Sequence, residues 1–243
     1  MIVDKKPEQT GKERRMTATT GADRLPLVSA DAQALSKDLV VVADPTGRQA
    51  ESVRVLRTHL LAQHVNEGCR ALAICAASPE VGCTFVAANL AVSLSQVGLN
   101  TLLVDADLRH PSLDGLIPPT QPVTGLRQWL SSTDPSINDY VQMDILPNLS
   151  VMYSGGAASH PQDLLAGDRF RALMDFCRRD FDVTIVDTPP ANRYSDVRRI
   201  SSVVGHSVVV TRRNKSFVHD LKTLTAQMEA DHARVVGTIL NDF

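Results

Sequence analysis

Lysine is missing from the middle of this chain: none occurs between Asp38 and Asn214 in a sequence of 243 residues. Any cation that acts within that stretch is therefore an arginine, or Lys215 reaching back from just beyond it. An excess of positive charge is missing too. The formal net charge is −2, which argues against the global basic field of a nucleic-acid binder. The four cysteines, Cys69, Cys75, Cys83 and Cys177, make no C-x-x-C pair and no zinc-ligand spacing, so reduced thiols are expected. No apolar run approaches the ~20 residues that cross a bilayer, and the N-terminus has no apolar stretch of the signal-peptide kind. A soluble, cytoplasmic protein is expected.

What is present, at 43% hydrophobic and 21% charged residues, suits one α/β domain with a full buried sheet plus a tail. Residues 1–36 are polar and of mixed charge, with a Thr-rich stretch at 17–20, and are expected to form a mobile arm. A short apolar patch at 39–43 is expected to dock on the domain, and Asp44-Pro45-Thr46-Gly47 is a turn signal. The expected division is an arm and turn over 1–47 and a domain over 48–243. Residues 49–65 have a helical pattern in which Glu51, Arg54 and Arg57 recur every three positions and share one face. On composition alone that is a solvated charged face with an internal Glu–Arg pair.

The most informative segment is Ala77-Ser78-Pro79-Glu80-Val81-Gly82-Cys83-Thr84. A phosphate-binding loop has the pattern G-x-x-x-x-G-K-[ST]. Gly82 and Thr84 stand in place, but Ala77 replaces the first Gly and Cys83 replaces the Lys that meets the β- and γ-phosphates. The flanks suit such a loop: an apolar strand over 71–76 precedes it, and an Ala-, Leu- and Val-rich helix over 85–97 follows and stops at Gly98. Strand, tight loop and helix bring backbone N–H groups and a helix N-terminus onto an anion.

Two further strands end in carboxylates. Residues 101–105 run into Asp105-Ala106-Asp107-Leu108-Arg109-His110-Pro111, and residues 181–187 into Asp187-Thr188-Pro189-Pro190. Ligands bind at the C-terminal ends of parallel strands. Carboxylates there hold Mg²⁺ through water or orient a nucleophile; the alternative is an Asp pair that caps local N–H groups. Downstream, Gly155-Gly156 leads to a helix over 161–179, and a strand at 207–211, a helix at 216–229 and a strand at 235–240 follow. This alternation predicts an α/β fold, a doubly wound and mostly parallel sheet of the P-loop NTPase kind with helices on both faces.

Over residues 48–243 these segments resemble the bacterial tyrosine autokinases of capsule and exopolysaccharide synthesis, P-loop proteins related to the MinD and ParA ATPases. The 105–111 segment resembles the family's second Walker segment, and Asp187-Thr188-Pro189-Pro190 its Walker B. Glu51-Ser52-Val53-Arg54-Val55-Leu56-Arg57 matches its E-x-x-R-x-x-R helix. Gly155-Gly156 with Pro161-Gln162-Asp163-Leu164-Leu165 is similar to its Gly…Pro-x-Glu-Leu-Leu segment, and Val236-Gly237-Thr238-Ile239-Leu240-Asn241 to its closing strand. The resemblance implies that Gly82, Cys83 and Thr84 take the nucleotide, that Thr84, Asp105 and Asp187 serve Mg²⁺, and that Asp105 and Asp107 are catalytic. It places Glu51, Arg54 and Arg57 at an oligomer interface. It implies ATP or ADP with Mg²⁺ as cofactors and a Wzz-like inner-membrane polysaccharide copolymerase as partner, self-association, no nucleic acid, and membrane recruitment only through that partner.

Two departures accompany the resemblance. Cys83 removes a charge-assisted contact to the transferring phosphate, and only an arginine such as Arg109 or Arg193, or Lys215, remains to replace it. The family's kinases usually end in a Tyr-rich tail; this sequence reads Asn241-Asp242-Phe243 at its end and its tyrosines, Tyr140, Tyr153 and Tyr194, are scattered, so no such substrate tail is expected. Cys83 itself admits a second reading, a thiol of lowered pKa at a helix N-terminus that senses oxidants, beside that of a small buried filler. Three functions are compatible with these features: a regulatory partner of a copolymerase with impaired or absent kinase activity, an active kinase or ATPase with a relocated cation, and a ParA- or MinD-like positioning ATPase with a basic patch from Arg198, Arg199, Arg212, Arg213 and Lys215.

Overall fold

In the computed structural model, residues 35–242 are described apart from 66, 67, 134 and 135. Most of the expected arm, including the Thr-rich stretch, lies outside the described residues. In chain order the elements are α1 (Val40–Ala43), α2 (Arg48–Leu60), β1 (Ala71–Cys75), α3 (Cys83–Ser95), β2 (Thr101–Asp105), α4 (Leu126–Ser131), β3 (Gln142–Leu146), β4 (Leu149–Met152), α5 (Pro161–Ala166), α6 (Asp168–Asp180), β5 (Val183–Asp187), α7 (Asp196–Val204), β6 (His206–Arg212), α8 (Val218–Ala230) and β7 (Arg234–Asn241). Among the described residues the strands form one seven-stranded sheet in the order β3-β4-β2-β5-β1-β6-β7. Every pairing is parallel except the β3–β4 hairpin at one edge.

The central strands read as unbroken apolar runs because both of their faces are covered. In β1, Ala71, Ala73 and Cys75 face a core shared with Phe170, Leu173 and Met174 of α6, Ile200 of α7 and Met228 of α8. Leu72 and Ile74 point the opposite way, into a core with Val53 of α2 and Leu90 and Leu94 of α3. The period of two along each strand thus feeds two cores, one on either side of the sheet. The doubly wound, mostly parallel α/β architecture is confirmed.

Packing begins upstream of the turn expected to separate arm and domain. Leu39, Val40 and Val41 are buried in the same core as α3. Asn89 of α3 pins this segment: its side-chain amide donates to the Asp38 and Phe85 carbonyls at 3.0 and 2.9 Å and accepts from Val41 N–H at 3.3 Å. Asn89→Ala removes these bonds and leaves buried backbone groups unpaired, at a cost of about 1–3 kcal/mol. A thermal melt should fall by several degrees, and an unchanged melt would show that α1 is not anchored by Asn89.

Two expected elements differ. The helix over 161–179 is two helices, because Gly167 adopts an extended conformation (φ −68°, ψ 164°) between α5 and α6. The helix over 49–65 is α-helical to Leu60 and continues as a π-helical turn over Leu61–Val65.

Candidate nucleotide-binding site

The strand order places β5 between β1 and β2, so the C-terminal ends of three strands from distant parts of the chain meet. Residues 76–82 leave β1 and enter α3. Gly82 caps that helix with φ 90°, a left-handed conformation that favours glycine. A side chain there would also strike the Asn241 amide, whose Nδ2 donates to the Val81 carbonyl at 2.8 Å. The loop is stitched to the segment after β5: Ala191 and Asn192 N–H donate to the Ala76 and Ala77 carbonyls, each at 2.8 Å. Thr188 Oγ1 donates to the Ile74 carbonyl at 2.8 Å. A cavity of about 360 Å³ opens over the loop, with Gly82, Cys83, Thr84, Asp107, His110, Ser112 and Arg193 among its lining residues.

Asp105 and Asp187 are register partners on β2 and β5, and they are 2% and 1% exposed. Burial and the charge of Asp107 push the Asp187 carboxyl up to about 7, against the opposing effect of a hydrogen bond from Thr84. Asp105 is raised well above the usual carboxylate range by burial and by the neighbouring charges of Asp187 and Asp107. Local capping is realised in the same segment: Asp105 Oδ1 accepts Asp107 N–H at 3.1 Å, and Asp107 Oδ1 accepts Arg109 and His110 N–H at 3.0 and 2.9 Å. Asp187 Oδ1 remains buried without a hydrogen-bond partner.

This donor set fits a hydrated Mg²⁺. Hydroxyl and carboxylate oxygens are hard ligands, and Mg²⁺ keeps several waters while taking one or two protein oxygens beside substrate phosphates. Among the described residues no group of three or more His, Cys, Asp or Glu side chains is arranged to hold a metal directly. An ion here would therefore rest on Thr84 and phosphate oxygens, with the carboxylates acting through water. The orphaned Asp187 oxygen supplies an acceptor for such a water.

Cys83 occupies the first position of α3. Burial, then the charge of Asp187, then Cys75 and Asp107, raise its thiol well above the ordinary value. Of the two readings of Cys83, the oxidant-sensing thiol of lowered pKa loses support, because desolvation and the nearby carboxylates outweigh the helix end.

The candidate replacement cations are in different situations. Arg109 is committed: its Nε and Nη2 reach Asp196 Oδ2 and Oδ1 at 2.6 and 3.1 Å, and its guanidinium lies 4.0 Å from the centre of the Tyr194 ring. Lys215 Nζ is 2.6 Å from Glu80 Oε2, and Arg212 donates to the Glu80 carbonyl at 3.3 Å. Arg193 lines the cavity. The other basic residues of the positioning reading are also engaged. Arg198 pairs with Asp231 at 2.5 and 2.8 Å, Arg199 donates to the Leu165 and Ala166 carbonyls, and Arg213 lies 3.1 Å from Asp242.

Glu51, Arg54 and Arg57 lie on α2, and none of them lines the cavity. Glu51 is exposed and pairs with Arg54 at 3.0 Å, while Arg54 also donates to the Pro45 carbonyl. Arg57 turns onto α3, donating to Ser93 O and Oγ at 3.1 and 3.2 Å. Gly155 packs against α4, where Gln128 Nε2 donates to its carbonyl at 2.9 Å. Sequence reasoning missed Ser112, whose hydroxyl lies 3.3 Å from Thr84 Oγ1, and the contact of Asn241 with the loop. A polar residue closing an apolar strand was the available signal for Asn241; Ser112 had none.

Fold and site together define a P-loop nucleotide-binding domain. The chain belongs to the CobQ/CobB/MinD/ParA nucleotide binding domain family, which matches residues 72–243. Within it the chain is similar to bacterial tyrosine-protein kinases. It is 30% identical over 197 residues to the putative tyrosine-protein kinase EpsB of Ralstonia nicotianae and 32% identical over 193 residues to the tyrosine-protein kinase ptk of Acinetobacter johnsonii. These matches cover 81% and 79% of this chain and 26% of each relative, so the chain spans about a quarter of their length. Among solved structures, the kinase domain of Escherichia coli tyrosine kinase ETK matches with a TM-score of 0.77 and 30% identity, covering 84% of this chain and 79% of that one.

Proposed function

We propose that this protein is a regulatory partner in exopolysaccharide or capsule export that binds ATP or ADP with Mg²⁺ but has impaired or absent tyrosine-kinase activity. The carrying observation is Cys83, a side chain without positive charge, at the phosphate-contacting position, with Arg109 and Lys215 bound to Asp196 and Glu80. Preorganised cations aimed at developing charge are usually the largest contribution to phosphoryl transfer, and this loop lacks the one its pattern requires. Thr84, Asp105, Asp107 and Asp187 support retained nucleotide and metal binding. The partner in this reading is a Wzz-like inner-membrane copolymerase, which recruits a cytoplasmic protein to the inner face of the inner membrane. Among the described residues no helix is long and apolar enough to cross a membrane. Self-association uses the α2 face with Glu51 and Arg54, braced by Arg57 on Ser93.

The purified protein incubated with Mg-ATP should acquire no phosphotyrosine. Incorporation of phosphate into tyrosine that Asp105→Asn abolishes would overturn this reading. It would favour the second one, an active kinase or ATPase with a relocated cation, in which a cavity residue such as Arg193 would promote phosphoryl transfer and not only hold the bound phosphates. The ParA- or MinD-like reading loses support because the cations of its basic patch are engaged within the chain, and no nucleic-acid binding is expected.

A further inference from the structure

We propose that Arg193 supplies the phosphate-contacting cation that Cys83 cannot, gripping the terminal phosphates of a nucleoside di- or triphosphate from the segment that follows β5. The proposal rests on the nucleotide-binding reading above and names one residue of that site.

Position is the first argument. Arg193 lies on the segment leaving β5, just after Pro189 and Pro190, whose rings restrict the backbone. The backbone bonds of Ala191 and Asn192 to the Ala76 and Ala77 carbonyls clamp that segment to the phosphate loop. The base of Arg193 is therefore held in a fixed relation to Gly82 and Thr84, while its exposed side chain lines the same cavity as they do.

Availability is the second. Arg193 is the one Arg or Lys among the described residues lining the cavity. Arg109 is held by Asp196 on two bonds and stacked on Tyr194. Lys215 is held by the Glu80 carboxylate, and Arg212 by the Glu80 carbonyl. No side-chain hydrogen bond or ion pair within the described residues occupies Arg193.

Electrostatics is the third. Asp105, Asp107 and Asp187 crowd the strand ends, and Glu80 places a further carboxylate in the loop itself. An incoming polyphosphate needs a cation besides Mg²⁺. Lys215, through its hydrogen bond and its charge, holds the Glu80 carboxyl below the usual range. That pairing takes up most of the charge of the loop's own anion; Arg193 acts on Glu80 only through its charge, without a hydrogen bond, and its N–H donors remain for the ligand. A guanidinium presents two parallel N–H donors to phosphate oxygens, so it serves this role from a different direction than an ammonium does.

The test is binding of ADP, with and without Mg²⁺, and of adenosine to the full chain, by titration calorimetry. Wild type is compared with Arg193→Ala, Arg193→Lys and the double variant Arg193→Ala with Cys83→Lys. Arg193→Ala should weaken ADP binding about tenfold or more, as expected for loss of a charge-assisted contact, with adenosine binding unchanged. Arg193→Lys should fall between the two, and the double variant should recover ADP affinity. As an exposed position, Arg193→Ala should leave the thermal melt of the free protein close to wild type. If Arg193→Ala binds ADP as well as wild type, or loses ADP and adenosine equally, this proposal fails and the nucleotide reading stands. If wild type binds no ADP at millimolar concentration, both fail.

Discussion

Cys83→Lys should bind Mg-ADP about tenfold or more tightly than wild type, the range expected of one added charge-assisted hydrogen bond. The loop already has the backbone to accept the change, since Gly82 holds φ 90° and the helix begins at residue 83. Burial raises the Cys83 thiol most, and beside it the field there is negative, from Asp187 and Asp107. The same field favours an ammonium, so the new Lys enters with counter-charges in place. In the Arg193→Ala background the gain should be larger than in wild type, because the first cation at a phosphate does more than the second. Calorimetric titration of both pairs measures this directly. A Cys83→Lys protein with wild-type affinity would show that the missing lysine is not what limits this site.

Asp187→Asn should stabilise the nucleotide-free protein at alkaline pH and leave it nearly unchanged in acid. The Asp187 carboxyl sits at about 7 in the fold and at about 3.9 in an unfolded chain. Below the lower value both states hold the proton and no penalty arises. Between the two values the unfolded chain releases a proton that the folded chain keeps, so stability falls as pH rises. Above 7 the folded protein carries the full cost of a buried carboxylate, roughly 2–4 kcal/mol. Asparagine keeps the shape without that titration. The difference between variant and wild type in urea unfolding should therefore grow from pH 4 to pH 7 and then level off. A difference that does not change with pH would remove Asp187 as the titrating group. The same substitution should weaken the dependence of ADP binding on Mg²⁺, because an acceptor for the ion's hydration shell is lost. Stability in this site is thus given up where metal binding would recover it.

The parts of the fold that were legible are those whose local pattern has one cause. β1, β2 and β5 are buried on both faces, so each reads as an apolar run, and two of them end in the carboxylates that point to the site. The β3–β4 hairpin was not legible. β3 is an edge strand in which Met143 and Asp144 are exposed, and Asp144 takes φ 52°, so neither an apolar run nor a regular alternation marks it. The short α4 and the α7 helix were missed as well: six and nine residues leave little room for a helical period to declare itself. The break at Gly167 was invisible for another reason, since a glycine inside a helical pattern is compatible with continuation and with a turn.

By itself the sequence determined that a strand, a glycine-ended loop and a helix frame a phosphate site, that carboxylates close two further strands, and that no lysine stands among them. These are properties of short segments, and chain order carries them. Only the tertiary structure decided which charges face one another. It paired Asp105 with Asp187 across neighbouring strands, locked Arg109 onto Asp196, turned Arg57 inward onto Ser93, raised the Cys83 thiol instead of lowering it, and left Arg193 open to the cavity. All but the Arg57 contact, which packs α2 on α3, join segments distant in the chain through the strand order β2-β5-β1, and the energy of a buried charge depends on what surrounds it in space, which no local periodicity records.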